Sequence, residues 1–156
     1  MESMRSIKRL MRGEPLPLEL LLLADPARDL VEEYAGRGEC WVLEDEEAHA
    51  AIGVYVLIRT RPATAELVNV AVSESHQGRG IGKKLVLHAV ERAREIGMAT
   101  IEVGTGSTGI GQIALYQKCG FRITGVDRNF FIRHYEEEII ENGMILRDML
   151  RFSMDL

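Results

Sequence analysis

The clearest hydrophobic pattern in the chain is helical and follows a run of glycines. Apolar side chains recur every three or four positions at Ile81, Leu85, Ala89, Ala93 and Ile96. This is the spacing of one buried helix face. Gly97 follows, and glycine is the residue type that most often ends a helix. The pattern predicts a helix that starts near Ile81 and stops at Gly97.

Three apolar segments before this helix predict strands. They span residues 39–44, 48–59 and 64–72 and are rich in β-branched side chains. Short turns between sequential strands favour an antiparallel meander. A fourth apolar segment, residues 99–103, follows the helix, and a strand–helix–strand unit implies a parallel pair. The expected fold class is therefore α+β, with a mixed, mostly antiparallel sheet.

The flanking segments have weaker patterns. Residues 3–11 could form an edge strand, and Pro17 fits the first position of a short helix over 18–23. Asp25 fits the N-cap of a second helix. On the C-terminal side we predict a helix from Ile110 to Cys119. The remaining predicted segments are a strand starting at Phe121, an extended segment at Arg128–His134 and a final strand at Met144–Phe152.

Length and composition narrow the class of protein. One domain over residues 1–156 is expected from the length. The net charge of −5 argues against nucleic-acid binding, which needs a basic surface. The two cysteines lack C-x-x-C spacing, so neither a disulfide framework nor a metal site is expected. The basic N-terminus lacks a following apolar segment and 18–24 is too short to span a bilayer, so we expect a cytoplasmic protein with no membrane partner.

A possible anion site lies between the strand 64–72 and the helix. The connecting turn ends in Gln77-Gly78-Arg79-Gly80-Ile81-Gly82. Glycines at a helix N-terminus let a phosphate approach the free backbone N–H groups. The turn is not a P-loop, because Lys84 follows Gly82-Lys83, and it lacks the third glycine of a dinucleotide fingerprint. Cations at a helix N-terminus oppose its dipole, so Arg79, Lys83 and Lys84 favour a bound anion there.

These motifs resemble those of the GNAT superfamily of acyl-CoA-dependent N-acetyltransferases. The glycine turn is similar to the pyrophosphate-binding signature of that family. A second match is Ala114-Leu115-Tyr116-Gln117-Lys118-Cys119-Gly120-Phe121, which resembles the family's helix-to-strand segment. The order of elements also agrees. The resemblance implies the GNAT fold, with a splayed parallel strand pair and flanking helices, and acetyl-CoA as co-substrate.

The resemblance also implies roles for individual residues. Residues Gln77, Gly78, Arg79, Gly80, Ile81, Gly82 and Lys83 would hold the pyrophosphate. The backbone of Val70, Ala71 and Val72 would hold the pantetheine arm, with the Val70 N–H on the thioester carbonyl. Tyr116 would protonate the departing thiolate.

A general base is needed because an alkylammonium group, with a pKa of about 10.4, is not nucleophilic at neutral pH. Strand alternation predicts Glu66 on the same face as Val68, Val70 and Val72. The position of Glu66 also matches the general base of the histone-acetylating branch of the family. A water chain without a side-chain base is the alternative.

Several alternatives stay open. The chain could be a non-catalytic acyl-CoA-binding module, or it could use a longer acyl-CoA. Many relatives have Asn where this chain has Gly109, so Ser107 or Thr108 would have to replace its contact to the cofactor. The acceptor is expected to be a small-molecule or peptide amine. The apolar final strand makes a homodimer a further expectation.

Overall fold

The fold was obtained as a computed structural model, and the structure describes residues 7–47 and 49–156. Within these residues, nine strands and five α-helices follow one another as β1 (Ile7–Arg9), α1 (Leu18–Ala24), α2 (Arg28–Arg37), β2 (Glu39–Glu44), β3 (Ala51–Arg61), β4 (Thr64–Val72), α3 (Ile81–Glu95), β5 (Thr100–Gly106), α4 (Ile110–Lys118), β6 (Arg122–Asp127), α5 (Phe130–His134), β7 (Ile140–Glu141), β8 (Met144–Ile145) and β9 (Met149–Asp155).

Seven of these strands form one sheet, in the order β1-β2-β3-β4-β5-β9-β6. All neighbouring pairs are antiparallel except β4 and β5, which are parallel. The mixed, mostly antiparallel sheet with flanking helices is confirmed. Among the described residues, no helix is both long and apolar enough to cross a membrane.

The sheet separates two apolar layers. On one face α1 and α2 cover β2, β3 and β4, with Leu21 and Val31 fully buried. On the other face α3 packs on the same sheet through Leu85, Ala89 and Ala93, and α4 joins this core through Tyr116. The helical spacing after the glycine turn therefore predicted the buried face of α3 correctly, because the face of a helix depends only on local periodicity.

Some predictions for the flanking segments are wrong. Helix α2 starts at Arg28 with Ala27 as its N-cap, and Asp25 instead ends α1. The segment 128–134 is not extended, because residues 130–134 form α5. Of the predicted edge strand 3–11, residues 7–9 are β1, and residues 3–6 lie outside the described part of the chain.

The final strand is interior rather than at an edge. β9 pairs with β5 on one side and with β6 on the other. Its backbone hydrogen-bonding groups are thus used within the chain, and its apolar side chains, such as Phe152, enter the core. β9 therefore has no free edge to offer a second copy, and the homodimer stays a prediction.

Candidate active site

The parallel strands β4 and β5 separate after four residue pairs. Their pairing runs from Thr64 with Thr100 to Leu67 with Val103 and ends there. β4 nevertheless continues to Val72, paired with β3 only. The outer edge of β4 is therefore free of β5 from Val68 onward, which creates the splayed gap.

The register of β4 against β3 determines which backbone groups face that gap. Ser73 N–H donates to Ile52 O at 2.8 Å, and Val70 stands opposite Tyr55. Backbone groups along a strand alternate sides, so the N–H and C=O groups of Val70 and Val72 point away from β3. The Val72 carbonyl accepts a hydrogen bond from Gln77 Nε2 at 3.0 Å. The Val70 N–H is thus directed into the splayed gap.

The glycine turn has the backbone geometry of an anion site. Gly78 and Gly80 have φ of +80° and +79°, values that L side chains rarely adopt. Gly80 is the N-cap of α3 and offers no side chain to the first turn of the helix, which also contains no acidic residue. The first N–H groups of α3 are therefore without intrahelical acceptors, next to the positive end of the helix dipole.

Two adjoining cavities connect this turn to the gap. The first, of about 270 Å³, we call the turn cavity. Of the residues predicted to bind the cofactor or act in catalysis, it is lined by Val70, Ala71, Val72, Gln77, Gly78, Gly80, Ile81, Gly82 and Tyr116. Arg79 and Lys83 do not line it. The structure thus brings together most of the predicted residues around one cavity.

The second cavity, of about 310 Å³, lies in the gap between β4 and β5, and we call it the cleft cavity. It shares Val70, Gln112 and Tyr116 with the turn cavity, so the two adjoin. Its other walls include the segments Leu23–Pro26, Gly104–Gly106 and Ile139–Glu141. These walls come from both faces of the sheet, which makes the gap a passage between the two faces.

Tyr116 is held at the junction of the two cavities. Its side chain is 4% exposed and packs edge-on against Phe121 and Phe152. Its hydroxyl forms no hydrogen bond with a described residue. Burial raises the pKa of Tyr116 well above its ordinary value, so the hydroxyl stays protonated and can act as a donor.

Glu66 does not lie on the same strand face as Val70 and Val72, although strand alternation predicts that it does. A β-bulge leaves Val68 without a partner, since Leu67 pairs with Leu57 and Asn69 with Val56. The bulge reverses the alternation, so Val70 and Val72 pack towards α3 while Val68 packs towards α1 and α2. The prediction that Glu66 shares one face with Val70 and Val72 is therefore wrong, whereas Val68 keeps the face opposite to Leu67, as predicted.

Glu66 lines a cavity of about 590 Å³ that contains neither Val70 nor Tyr116. We call it the Glu66 cavity. Arg151 Nη1 lies 3.8 Å from Glu66 Oε2, and Glu102 lines the same cavity. Burial raises the pKa of Glu66, Arg151 opposes that rise and Glu102 adds to it. Glu66 and Tyr116 are thus brought to different cavities.

The sequence reasoning missed residues on the far side of the cleft cavity. Asp25, Asn69 and Tyr135 line it, and Gln112 reaches both cavities from α4. The sequence predicts only a capping role for Asp25, and Asn69 stands within a β-branched segment that predicts a strand. No local signal marks Tyr135, because its hydrogen bond to Asp25 at 2.9 Å joins residues far apart in the chain.

Of the two residues expected to replace the missing Asn contact at Gly109, Thr108 is already engaged. Its hydroxyl donates to Glu141 Oε1 at 2.7 Å, and the residue is 5% exposed. Gln112 is the polar side chain of this region that lines both cavities. The described residues contain no cluster of three or more His, Cys, Asp or Glu side chains suited to a metal ion.

Comparison with known proteins agrees with this geometry. The model of the acetyltransferase (GNAT) family matches residues 4–121. The chain is 56% identical, over 88% of both chains, to a Bacillus subtilis protein described as the uncharacterized N-acetyltransferase YvbK.

Two solved structures cover 97% of this chain. A structure described as IAA acetyltransferase from Bacillus cereus is 52% identical, with a TM-score of 0.92 over 99% of its own chain. A GNAT family acetyltransferase from Elizabethkingia anophelis, with acetyl-CoA bound, is 39% identical, with a TM-score of 0.93 over 97% of its chain. The chain belongs to the GNAT family of N-acetyltransferases, whose cofactor is acetyl-CoA.

Proposed function

We propose that this protein transfers the acetyl group of acetyl-CoA to a primary amine by direct attack, with both substrates bound together. The observation that carries the proposal is the continuity of the turn cavity and the cleft cavity through Val70, Gln112 and Tyr116. An anion site at one end of this passage and a free strand edge at the other match a cofactor with a pyrophosphate and a thioester.

The cofactor is held by backbone more than by side chains. The N–H groups of residues 78–82 and of the first turn of α3 take the pyrophosphate with the Gln77 side chain beside them, and Arg79 and Lys83 add positive charge from outside the cavity lining. The free N–H of Val72, with the Gln112 amide, provides partners for the pantetheine arm. This backbone set supports the assignment of Val70 and Val72 as cofactor-binding residues, whereas support for Ala71 is limited to its place in the lining of the turn cavity.

When bound, acetyl-CoA supplies an acetyl group activated as a thioester. The Val70 N–H, directed into the gap, donates a hydrogen bond to the carbonyl oxygen as negative charge develops there. A preorganised donor of this kind contributes roughly 2.7–4 kcal/mol in acyl transfer. In the reaction the ammonium group first loses one proton to the base. The C–N bond then forms, the C–S bond breaks, and the nitrogen loses a second proton while the sulfur takes one up.

Glu66 is the proposed general base and Tyr116 the proposed acid. Because Glu66 lies in a separate cavity, it accepts the amine proton through intervening water. Tyr116 donates a hydrogen bond to the departing sulfur. Its raised pKa lies above the value of about 8.5 for a free thiol, so full proton transfer is uphill and stabilisation by the hydrogen bond is its main contribution.

Release of free thiol from acetyl-CoA tests the activity. The acceptors to compare are alkyl diamines, amino acids and N-terminal peptides. IAA, the compound in the name of the Bacillus cereus relative, is tested beside them. We expect thiol release with at least one amine and no acetylated enzyme in its absence. Tight binding of acetyl-CoA without thiol release on any acceptor would contradict catalysis and favour a binding module.

The pH dependence of kcat/KM tests Glu66. A base with a raised pKa loses activity as the pH falls through that pKa, above the ordinary value of about 4.3. Glu66→Gln should remove this acid limb. Glu102→Gln is the matched control, and it should only move the limb to lower pH, because Glu102 contributes to raising the pKa of Glu66. An unchanged limb in Glu66→Gln excludes this residue as the base.

A further inference from the structure

One residue that lines the cleft cavity has a buried amide oxygen without a partner. Asn69, directly before Val70, lines this cavity and is 4% exposed. Its Nδ2 donates to Leu21 O at 3.1 Å and to the Tyr34 hydroxyl at 2.9 Å. Its Oδ1 is the one buried side-chain oxygen or nitrogen without a hydrogen bond among residues 7–47 and 49–156. Such atoms are rare in folded proteins and call for a donor.

The orientation of this amide is determined by its neighbours. The Leu21 carbonyl can only accept a hydrogen bond, so Nδ2 must face it and Oδ1 is left over. The Tyr34 hydroxyl accepts from Asn69 and donates to Asp25 Oδ2 at 3.0 Å. The atom left over can only accept, so a ligand that satisfies it must bring an N–H or O–H group.

Asp25 contributes a negative charge to the same cavity. Its Oδ1 accepts from the Tyr135 hydroxyl at 2.9 Å and from the Ala27 N–H at 3.1 Å. Both donors and Tyr34 are neutral, and no cationic side chain of a described residue pairs with this carboxylate. Burial raises the pKa of Tyr34 and of Tyr135, and Asp25 adds to both rises, so the two hydroxyls stay protonated.

The lining of the cleft cavity as a whole is acidic. Asp25 and Glu141 line it, whereas no described Lys, Arg or His does. The aromatic rings of Phe131 and Tyr135 also line it, and aromatic faces attract cations. An anionic group in this cavity would meet unpaired negative charge, while a cation would be attracted.

We propose that Asn69 and Asp25 form a two-point subsite for a dicationic amine acceptor. Asn69 Oδ1 accepts a hydrogen bond from the reacting nitrogen, next to the Val70 N–H. Asp25 pairs with a second ammonium group, which keeps its charge while the reacting nitrogen loses its proton. The hydrogen bonds through Tyr34 place the Asn69 amide nitrogen within about 6 Å of Asp25 Oδ2, so the two side chains are close enough for one short diamine to contact both. This inference rests on the proposed acetyl transfer and specifies its acceptor class.

Three amines of equal length test the subsite: 1,4-diaminobutane, n-butylamine and 4-aminobutanoate. We measure their binding by calorimetry in the presence of CoA, and their kcat/KM in the thiol-release assay. The diamine should bind about tenfold or more tightly than butylamine, since a charged hydrogen-bonded pair is gained. The aminobutanoate should be the weakest, because its carboxylate meets Asp25.

Two variants separate the subsite from the general acidity of this region. Asp25→Asn keeps the size of the side chain, and it should weaken the binding of diaminobutane about tenfold more than it weakens the binding of butylamine. Tyr34→Phe keeps the ring but breaks the chain from Asn69 to Asp25, and it should lower kcat/KM for all acceptors without changing CoA affinity. The matched control is Glu137→Gln. Glu137 lies in the acidic segment 136–138, which lines a different cavity, so this variant should preserve the diamine preference. Thermal unfolding checks that each variant is folded.

The outcomes distinguish the subsite from the activity. Equal binding of the three amines, binding of none of them, or equal loss of preference in Glu137→Gln and Asp25→Asn overturns the subsite. Acetyl transfer that ignores acceptor charge overturns the subsite and leaves the proposed function standing. Diamine binding that depends on Asp25 but gives no thiol release supports the subsite and contradicts the proposed function.

Discussion

Gly82 is the glycine of the turn that can take a side chain without disturbing the free protein. It is the second residue of α3, and its φ lies outside the left-handed region that Gly78 and Gly80 occupy. A Cβ atom at this position would meet Leu115 Cδ2 at 3.6 Å and Val72 Cγ2 at 3.9 Å, which are ordinary contacts. Gly82→Ala should therefore fit the fold.

Stability and cofactor affinity should then change in opposite directions. Replacing glycine by alanine in a helix stabilises it by about 0.5–1 kcal/mol. For a protein of this size that corresponds to a rise of about 1–4 °C in Tm. The new methyl group, however, enters the turn cavity where an anion approaches the N–H groups of α3. Loss of one hydrogen bond to a phosphate costs about 1.5–3 kcal/mol, or roughly a tenfold to hundredfold rise in Kd for CoA.

Calorimetric titration with CoA and thermal unfolding of the free protein measure the two effects. Gly111→Ala is the matched control, because Gly111 is the second residue of α4, lies in open space and does not line the turn cavity. It should gain stability without losing CoA affinity. If Gly82→Ala binds CoA as the unaltered protein does, the placement of the pyrophosphate at this turn is refuted.

Two further predictions concern side chains that the fold buries. Tyr116→Phe should lower kcat by about 10²-fold while CoA affinity and Tm hold, since its hydroxyl has no partner to lose; an unchanged kcat removes Tyr116 as the acid. Glu39 accepts hydrogen bonds from Arg92 Nε at 2.8 Å and Nη2 at 3.0 Å. Burial works to raise the pKa of Glu39, but the bonds from Arg92 and Trp41 outweigh it and lower that pKa. Glu39→Gln should lower the free energy of unfolding by about 1–2 kcal/mol at pH 7. Urea unfolding should show this difference between the two proteins shrinking as the pH falls through the lowered pKa of Glu39. A difference that does not depend on pH contradicts this account.

The sequence alone predicted the features that depend on local spacing of residues. The apolar periodicity after Ile81 predicted α3, and the glycines at 78 and 80 predicted a turn at the start of this helix, where both have positive φ. The segment 64–72 was predicted with its observed bounds. In each case neighbouring residues decide the conformation, because helix faces and tight turns are set within a few positions of the chain.

Features that depend on the partner strand were decided only by the tertiary structure. The bulge at Val68 follows from the pairing of β4 with β3, and it moves Glu66 away from the face of Val70. The Asp25–Tyr135 hydrogen bond joins distant segments across the cleft cavity, and it exists only once the sheet is assembled. A one-residue change of register reverses every following side chain, so sequence alternation by itself could locate the strand but not the side of the cleft on which each group stands.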